Sequence, residues 1–331
     1  MTESNKELKK RILRKSRFTL TYRILRIMLI VFLLYCVYVF SINFIDQKLN
    51  VANEHAYYSK LAIEWTIPNV RGDFNFEEEE MTMFGTKKLS YNLIKKVGND
   101  DKVIGEANVT KRLKNPSFIS FSHPGKQQLN EFSFSLPIDP RNGKKLDGNA
   151  WPNVWDTLSM LPEGTVGEMA FSTNSFMESK QLIDLLDKYD LHVLWMPLYT
   201  SEFVNYEPYW SSSSNKSLMV PHFGLSGGND RNEYFHESSV ITRLTQDTLR
   251  ESEQLMLKNM EELLTKSSSY YEQFLGLGHF EQKYQYLKEN GFTVYGAVVT
   301  GPVKELLKLQ DASFIQGEQL GEVELWNWQS N

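Results

Sequence analysis

The sequence predicts an α+β protein with a single N-terminal transmembrane helix, then a β-rich region, then a βαβ-containing mixed-sheet domain with a long helical insertion. Three observations predict this: one apolar stretch near the N-terminus, alternating apolar runs and turn residues up to about residue 134, and strand–helix–strand patterns from residue 164. We expect four segments. They are a basic cytoplasmic arm (1–26), a transmembrane helix (27–45), a β-rich extracytoplasmic region (46–150) and an α+β domain (151–331).

The overall composition is that of a globular protein. Hydrophobic residues make up 41% and charged residues 23%, with a formal net charge of −5. These values exclude a disordered chain and a polytopic membrane protein. The charge is unevenly distributed, because residues 1–26 carry nine basic and two acidic side chains while the remainder is acidic. A basic arm before an acidic body indicates a membrane or nucleic-acid partner for the arm.

Residues 27–45 favour the membrane as that partner. Ile27 to Ile45 are 19 consecutive uncharged residues, and at about 1.5 Å per residue they form a helix roughly 28 Å long. Such a helix crosses a hydrocarbon core about 30 Å thick. Because the basic residues precede the span, the positive-inside rule predicts a cytoplasmic N-terminus. We therefore expect a single-pass protein of the cell membrane, with the C-terminal part outside and no direct contact with nucleic acid.

The arm is predicted to form a short basic amphipathic helix. Apolar residues recur at helical spacing among lysines and arginines. Such a helix binds anionic membrane lipid or a cytoplasmic protein partner, and the sequence leaves both open. The residues expected to contact a partner are Leu8, Lys9, Arg11, Ile12, Leu13 and Arg14.

The extracytoplasmic region after the span is expected to begin with a helix. Residues 46–65 are polar with scattered apolar positions, and Pro68 and Gly72 end this segment. Short apolar runs with intervening turn residues then predict antiparallel strands. The only cysteine, Cys36, lies inside the apolar span, so the extracytoplasmic part forms no disulfide.

The C-terminal domain is expected to contain two βαβ units. In the first, TVGEMAFST and LHVLWMPLYT are strands that flank an amphipathic helix at 175–189. In the second, FTVYGAVVT precedes a helix at 302–309 that proline opens, and a short strand near Phe314 follows. Between the units, one or two long helices are expected from about Val240 to Glu289, broken by the serines at 267–269.

The chemistry-bearing residues predict neither a metal site nor a cofactor. None of the six histidines has metal-ligand spacing to another, and the acidic run at 77–80 is typical of a solvated surface. Residues 224–228 match the G-x-S-x-G motif, but Pro221 interrupts the preceding strand and polar residues follow. We therefore predict no catalytic residue. The alternative of an ecto-hydrolase requires Ser226 with His222 or His236.

Several segments together resemble a known family. These are the basic arm that runs into the apolar span, the Pro68-Asn69-Val70 sequence, and the segments GTVGEMAFSTNSFMESKQLIDLLDKYDLHVLWMPLYT and GFTVYGAVVTGPVKELLKL. They resemble the membrane-anchored sigma-factor regulators of Gram-positive bacteria, which have a sigma-regulator N-terminal segment and a C-terminal domain. The resemblance implies an anti-sigma factor that controls an extracytoplasmic-function sigma factor in response to an envelope signal, without enzymatic activity.

The resemblance also implies partners on both sides of the membrane. In the cytoplasm the partner is a sigma factor or a companion membrane regulator, since 26 residues offer little surface to cover a sigma factor alone. Outside, the domain senses a ligand that the sequence does not identify. The alternative function is a membrane-anchored extracytoplasmic binding module or the ecto-hydrolase described above.

Overall fold

The chain begins with two long helices in series. The computed structural model describes residues 3–49, 51–81, 87–111, 118–122, 132–148, 151–201, 210–211, 218–326 and 328. Helix α1 covers Glu3–Leu49 and therefore contains the predicted arm and the predicted transmembrane stretch without interruption. Helix α2 covers Val51–Thr66. The helix expected in this part of the chain is thus present, and it ends before Pro68, which lacks a backbone N–H for a further turn.

Four strands follow as an antiparallel meander. They are β1 (Val70–Met81), β2 (Lys87–Val97), β3 (Asp100–Lys111) and β4 (Phe118–Ser122), hydrogen-bonded in that order. Between β2 and β3, Gly98 adopts a φ of 65°, which glycine reaches without steric cost. This sheet confirms the predicted β-rich region. The acidic side chains at 77–80 belong to β1 but lie outside the described part of the structure.

A five-stranded sheet in the order β13-β5-β12-β6-β9 forms the centre of the C-terminal part. Its strands are β5 (Thr165–Glu178), β6 (His192–Pro197), β9 (Gly224–Leu225), β12 (Thr293–Pro302) and β13 (Ile315–Leu325). Helix α3 (Val154–Met160) precedes β5, helix α4 (Ser179–Leu186) joins β5 to β6, and helix α7 (Val303–Lys308) joins β12 to β13.

The strand directions confirm both βαβ units. β12 is antiparallel to β5 and to β6, and β13 is antiparallel to β5. The strands of each unit are therefore parallel but separated by a strand of the other unit, which is the split βαβ arrangement. For this reason, all neighbouring strands of this sheet are antiparallel. The sequence predicted a mixed sheet, with both parallel and antiparallel neighbours.

The insertion between β6 and β12 contains short strands and then helices. The strands are β7 (Trp210–Ser211), β8 (Leu218–Met219), β10 (Gly228–Arg231) and β11 (Glu237–Ile241). Helix α5 (Leu249–Leu263), a π-helical turn (Ser269–Phe274) and helix α6 (Phe280–Asn290) follow. The predicted break at the serines is present. The helices begin later than expected, because residues 237–241 pair with β10 as a hairpin.

Three other element boundaries differ from the sequence predictions. Residues 175–178 extend β5 rather than starting the helix, because Met177 and Glu178 pair with β12. Pro302 is the last residue of β12 and lies just before α7. β13 has 11 residues, more than the short strand expected, because it pairs with β5 over most of that length.

The hydrophobic core is continuous across residue 150. One cluster of buried side chains joins α2, the four-stranded sheet, helices α5 and α6, and one face of the five-stranded sheet. On the opposite face, Phe134, Leu136 and Leu146 pack against Trp195 and Tyr295. Both faces of the five-stranded sheet are therefore covered, and the segment that covers the second face precedes the domain boundary predicted at residue 150.

Candidate functional site

The predicted partner-binding residues lie on the first turns of α1. They are Leu8, Lys9, Arg11, Ile12, Leu13 and Arg14, and all six are exposed. Leu8 and Ile12 are each more than half exposed and, being four residues apart, lie on one face of the helix. The structure thus places these side chains on an accessible helix. That they contact a partner stays a prediction.

The apolar part of α1 fits a membrane anchor. Glu7–Ser41 is long and apolar enough to cross a bilayer, and its most apolar window is not buried by the rest of the described chain. Contiguous apolar surface of this extent is covered in folded proteins rather than left in water. A lipid bilayer gives that cover, so the length and composition of this helix are those of a membrane anchor.

Helix α2 follows α1 directly and is the first element of the part of the protein, residues 51–331, that we call the body. Its buried apolar side chains are Ala56, Tyr57, Tyr58, Leu61, Ala62, Ile63 and Trp65. Successive helical residues point about 100° apart, so burial at consecutive positions means that protein surrounds the helix on all sides. Strands β1, β2, β3 and β9 contact it. α2 therefore connects the membrane anchor to the core.

Polar contacts fix the first turn of α2. The Asn53 amide nitrogen donates to the Tyr234 carbonyl oxygen at 3.2 Å and lies 2.9 Å from Nε2 of His236. Glu54 forms an ion pair with Lys266. The loop between β10 and β11 and the turn after α5 thus hold the helix where it follows α1.

A buried polar cluster surrounds Glu64 near the end of α2. Asn229 Nδ2 donates to Glu64 Oε2 at 2.8 Å, and the Ser226 hydroxyl lies 3.5 Å from the same oxygen. Trp195 Nε1 donates to the main-chain carbonyl of Glu64 at 2.8 Å. The hydroxyl of Tyr57 donates to the Asn229 carbonyl at 3.0 Å. These bonds connect α2 to β6 and β10.

The Glu64 carboxyl group is incompletely satisfied. The residue is 5% exposed, and its Oε1 atom has no hydrogen-bond partner within the described part of the chain. Burial raises the pKa of Glu64 to about 7, and the Asn229 hydrogen bond and the charges of Arg71 and Lys60 oppose this only in part. Both protonation states are therefore populated near neutral pH.

A small cavity with both polar and apolar lining residues lies beside Glu64. Its volume is about 40 Å³. Its polar lining includes Asn69, Arg71, Lys96, Ser226 and Asn229. Since one water needs roughly 10–15 Å³ of such volume, the cavity holds a few waters and no larger organic ligand.

A buried ion pair joins the two sheets close to this cluster. Lys95 Nζ of β2 lies 2.7 Å from Glu168 Oε2 of β5. Asn69, between α2 and β1, donates to Glu168 Oε1 at 2.6 Å and to the Lys96 carbonyl at 2.9 Å. Its φ of 54° lies in the left-handed region, which asparagine tolerates better than most residues. Burial raises the pKa of Glu168, and the Lys95 ammonium opposes that shift.

The ecto-hydrolase alternative is not favoured by the geometry at Ser226. A nucleophile elbow has a helix after the serine, whereas here strand β10 follows. The Ser226 hydroxyl lies toward Glu64, and no hydrogen bond in the described structure joins it to His222 or His236. Among the described residues, no group of three His, Cys, Asp or Glu side chains is arranged to hold a metal ion.

Sequence reasoning located the arm but missed Glu64 and Asn229. No motif marks either residue, and 165 positions separate them. One signal was available, because apolar and aromatic residues fall on every side of the helix at 56–65, and that pattern is typical of a buried helix. A carboxylate within such a helix indicates a buried polar group that needs partners.

Comparisons with known proteins identify the family of this chain. The family model described as sigma factor regulator N-terminal matches residues 10–102, and the one described as sigma factor regulator C-terminal matches residues 158–322. The probable anti-sigma-M factor YhdL of Bacillus subtilis (strain 168) is 23% identical over 286 residues, covering 85% of this chain and 72% of that protein.

No solved structure matches the chain. The two matched segments include the apolar helix, the buried helix α2, most of the four-stranded sheet and nearly all of the five-stranded sheet. The resemblance noted from the sequence is thereby confirmed. This protein, with one apolar N-terminal helix and an antiparallel α+β body, belongs to the sigma-factor regulator family.

Proposed function

We propose that this protein is a single-pass anti-sigma factor, with its arm in the cytoplasm and its body on the outer side of the membrane. It acts by binding rather than as an enzyme. The body senses an envelope signal, and the arm contacts an extracytoplasmic-function sigma factor or a companion membrane regulator. The family membership and the description of the Bacillus relative as a probable anti-sigma-M factor support a sigma factor as the final target.

One observation carries this proposal. A single helix, α1, contains both the exposed arm and the apolar stretch, and α2 begins two residues after α1 ends. Because α2 is buried inside the body, rearrangement of the body displaces the end of the membrane helix. A single membrane-spanning helix transmits such a change by translation, rotation, altered association or cleavage.

The arm offers two kinds of contact. Leu8 and Ile12 present an apolar face to a protein partner, whereas Lys9, Arg11 and Arg14 attract anionic lipid or an acidic partner surface. A contact with lipid alone uses the charges and the apolar pair together, because such a helix buries its apolar face in the membrane interface. Only a titration with a purified protein partner therefore separates the two kinds of contact.

Cysteine labelling tests the orientation. Cys36→Ser removes the only cysteine, after which Ser16→Cys in the arm or Ser239→Cys in β11 provides one exposed thiol. In intact cells, a membrane-impermeant maleimide should label the β11 variant and leave the arm variant unlabelled until the cells are permeabilised. Labelling of the arm variant in intact cells would contradict the proposed orientation.

Direct binding tests the partner. The full chain is placed in nanodiscs and titrated with each purified extracytoplasmic-function sigma factor of its source organism, with and without other membrane proteins encoded beside its gene. We expect one sigma factor to bind the wild type and to bind the Leu8→Asp/Ile12→Asp variant at least tenfold more weakly. The matched control, Lys10→Gln/Arg17→Gln, changes two arm residues outside the apolar pair. Equal binding by all three chains would contradict an apolar contact through the arm.

A further inference from the structure

The buried carboxyl of Glu64 lies on the helix that connects the body to the membrane anchor. α2 begins two residues after α1 ends, and its side chains are surrounded by the core. Glu64 holds this helix to β10 through Asn229 and to β6 through Trp195. A change of charge at this position therefore acts on the element that moves the membrane helix.

We propose that Glu64 is a proton-binding site of the extracytoplasmic body: with the proton bound, α2 stays packed in the core, and loss of the proton at alkaline pH loosens it. The proton site stands independently of the proposed function. Its effect on the cytoplasmic arm rests on that function.

The basic groups near the cavity have carboxylate partners of their own. Arg71 of β1 and Lys96 of β2 both line the cavity beside Glu64. The Arg71 guanidinium lies 2.6 Å from Asp101 Oδ2 of β3, and the Lys96 ammonium lies 2.9 Å from Asp101 Oδ1. No ion pair between either of them and Glu64 is present in the described structure, so the cavity charges compensate the carboxylate only in part.

The groups on the other sides of Glu64 also compensate the negative charge of its carboxylate only poorly. Lys60, one turn earlier on α2, faces Glu237 of β11 at 4.0 Å and the ring of Tyr91 at 5.2 Å. The two side chains that hydrogen-bond to the Glu64 carboxyl group, Asn229 of β10 and Ser226 directly after β9, are both neutral. A deprotonated Glu64 is therefore a buried carboxylate with one oxygen unbonded, and such a group gains free energy by becoming hydrated.

Water in the cavity hydrates a deprotonated Glu64 from one side. Its volume of about 40 Å³ accommodates a few waters beside the carboxyl group but not a complete hydration shell. Fuller hydration requires separation of α2 from β10. Protonation removes that requirement, because a neutral carboxyl donates one hydrogen bond and tolerates the low-dielectric site.

The direction of the pKa shift of Glu64 determines how the free energy of unfolding depends on pH. Burial raises the pKa of Glu64 from 4.5 to about 7. Between these values the folded chain holds a proton that the unfolded chain releases, so the free energy of unfolding falls as the pH rises. The stabilising effect is complete below about pH 4.5 and is lost as the pH passes about 7.

The isosteric variant Glu64→Gln tests the proton site. The full chain in nanodiscs is unfolded in urea between about pH 5 and about pH 9, and the unfolding constant of the wild type should rise about 100-fold more than that of the variant. Glu261→Gln, the same change at an exposed position of α5, should keep the wild-type profile. Parallel profiles for wild type and Glu64→Gln would overturn the proposal.

A second measurement needs only the wild type. Infrared titration of the full chain should show a protonated-carboxyl band that disappears near pH 7. If Glu64→Gln does not fold, the absence of such a band at mildly acidic pH overturns the site.

Reporter strains separate the proton site from the proposed function. Expression of the sigma regulon should rise at alkaline external pH in cells with the wild type and stay repressed in cells with Glu64→Gln. If the unfolding profiles differ as expected but reporter expression does not change with external pH, the connection between the site and the arm is overturned. If deletion of the gene changes no regulon, the proposed function fails while the unfolding titration still decides the proton site.

Discussion

Replacement of Glu168 by glutamine tests the buried ion pair between the two sheets. Glutamine keeps the shape of the side chain but removes the negative charge that faces the Lys95 ammonium at 2.7 Å. Glu168 is 0% and Lys95 6% exposed, so solvent does not screen the remaining charge. Loss of one partner of a buried ion pair costs about 3–5 kcal/mol, and we expect that loss for Glu168→Gln.

A double-mutant cycle isolates the pair itself. Lys95→Met removes the other charge while keeping an extended side chain, so the double variant buries neither charge. Its loss should be smaller than the sum of the two single losses by about 2 kcal/mol. Asn69 donates to Glu168 Oε1, and glutamine can still accept that bond, so the cycle reports the charge and not the turn.

Urea unfolding of the full chain in detergent micelles, followed by tryptophan fluorescence, measures these values. All seven tryptophans lie at or after residue 65, so their emission reports the body and not the membrane helix. A loss below about 1 kcal/mol for Glu168→Gln, or strict additivity in the cycle, would refute a structural role for the ion pair.

Two further variants test the packing around α2, and a third is their control. Leu61→Ala, at a position that is 2% exposed, should lower the free energy of unfolding by about 2–5 kcal/mol in the same urea assay, and an effect below about 1 kcal/mol would contradict burial of the helix. Gly224→Ala should cost about 1–3 kcal/mol and shift the tryptophan emission, because a Cβ there would lie 2.2 Å from the Trp195 ring; an unchanged spectrum and stability would contradict this contact. Met160→Ala, at an 81% exposed position, is the matched negative control and should stay within about 0.5 kcal/mol of wild type.

The sequence predicts the elements of this fold better than their pairing. The apolar span, the βαβ patterns and the break at the serines follow from local periodicity and turn chemistry. The order of the five strands depends on contacts between distant residues, such as Val294 with Met177, which no local pattern encodes. The same long-range pairing extends β5 through residues that would otherwise begin the following helix.

The sequence likewise predicts one part of the candidate site and not the other. The arm is visible in the sequence because charge and helical spacing coincide over a few turns, as at Leu8 and Ile12. The cluster at Glu64 is not visible, because its partner Asn229 follows 165 positions later in a glycine-rich segment that is typical of a surface loop. The apolar residues on every side of α2 indicate that this helix is buried, but they do not indicate which distant residues pack against it.

The central claim is that this protein represses one sigma regulon through its cytoplasmic arm. The most direct measurement is transcript profiling of a strain that lacks the gene, complemented with the wild type, with Leu8→Asp/Ile12→Asp, or with the control Lys10→Gln/Arg17→Gln. We predict that one regulon rises on deletion, that the wild type and the control restore repression, and that the Leu8/Ile12 variant does not. If no regulon changes on deletion, or if the Leu8/Ile12 variant restores repression fully, the account is contradicted.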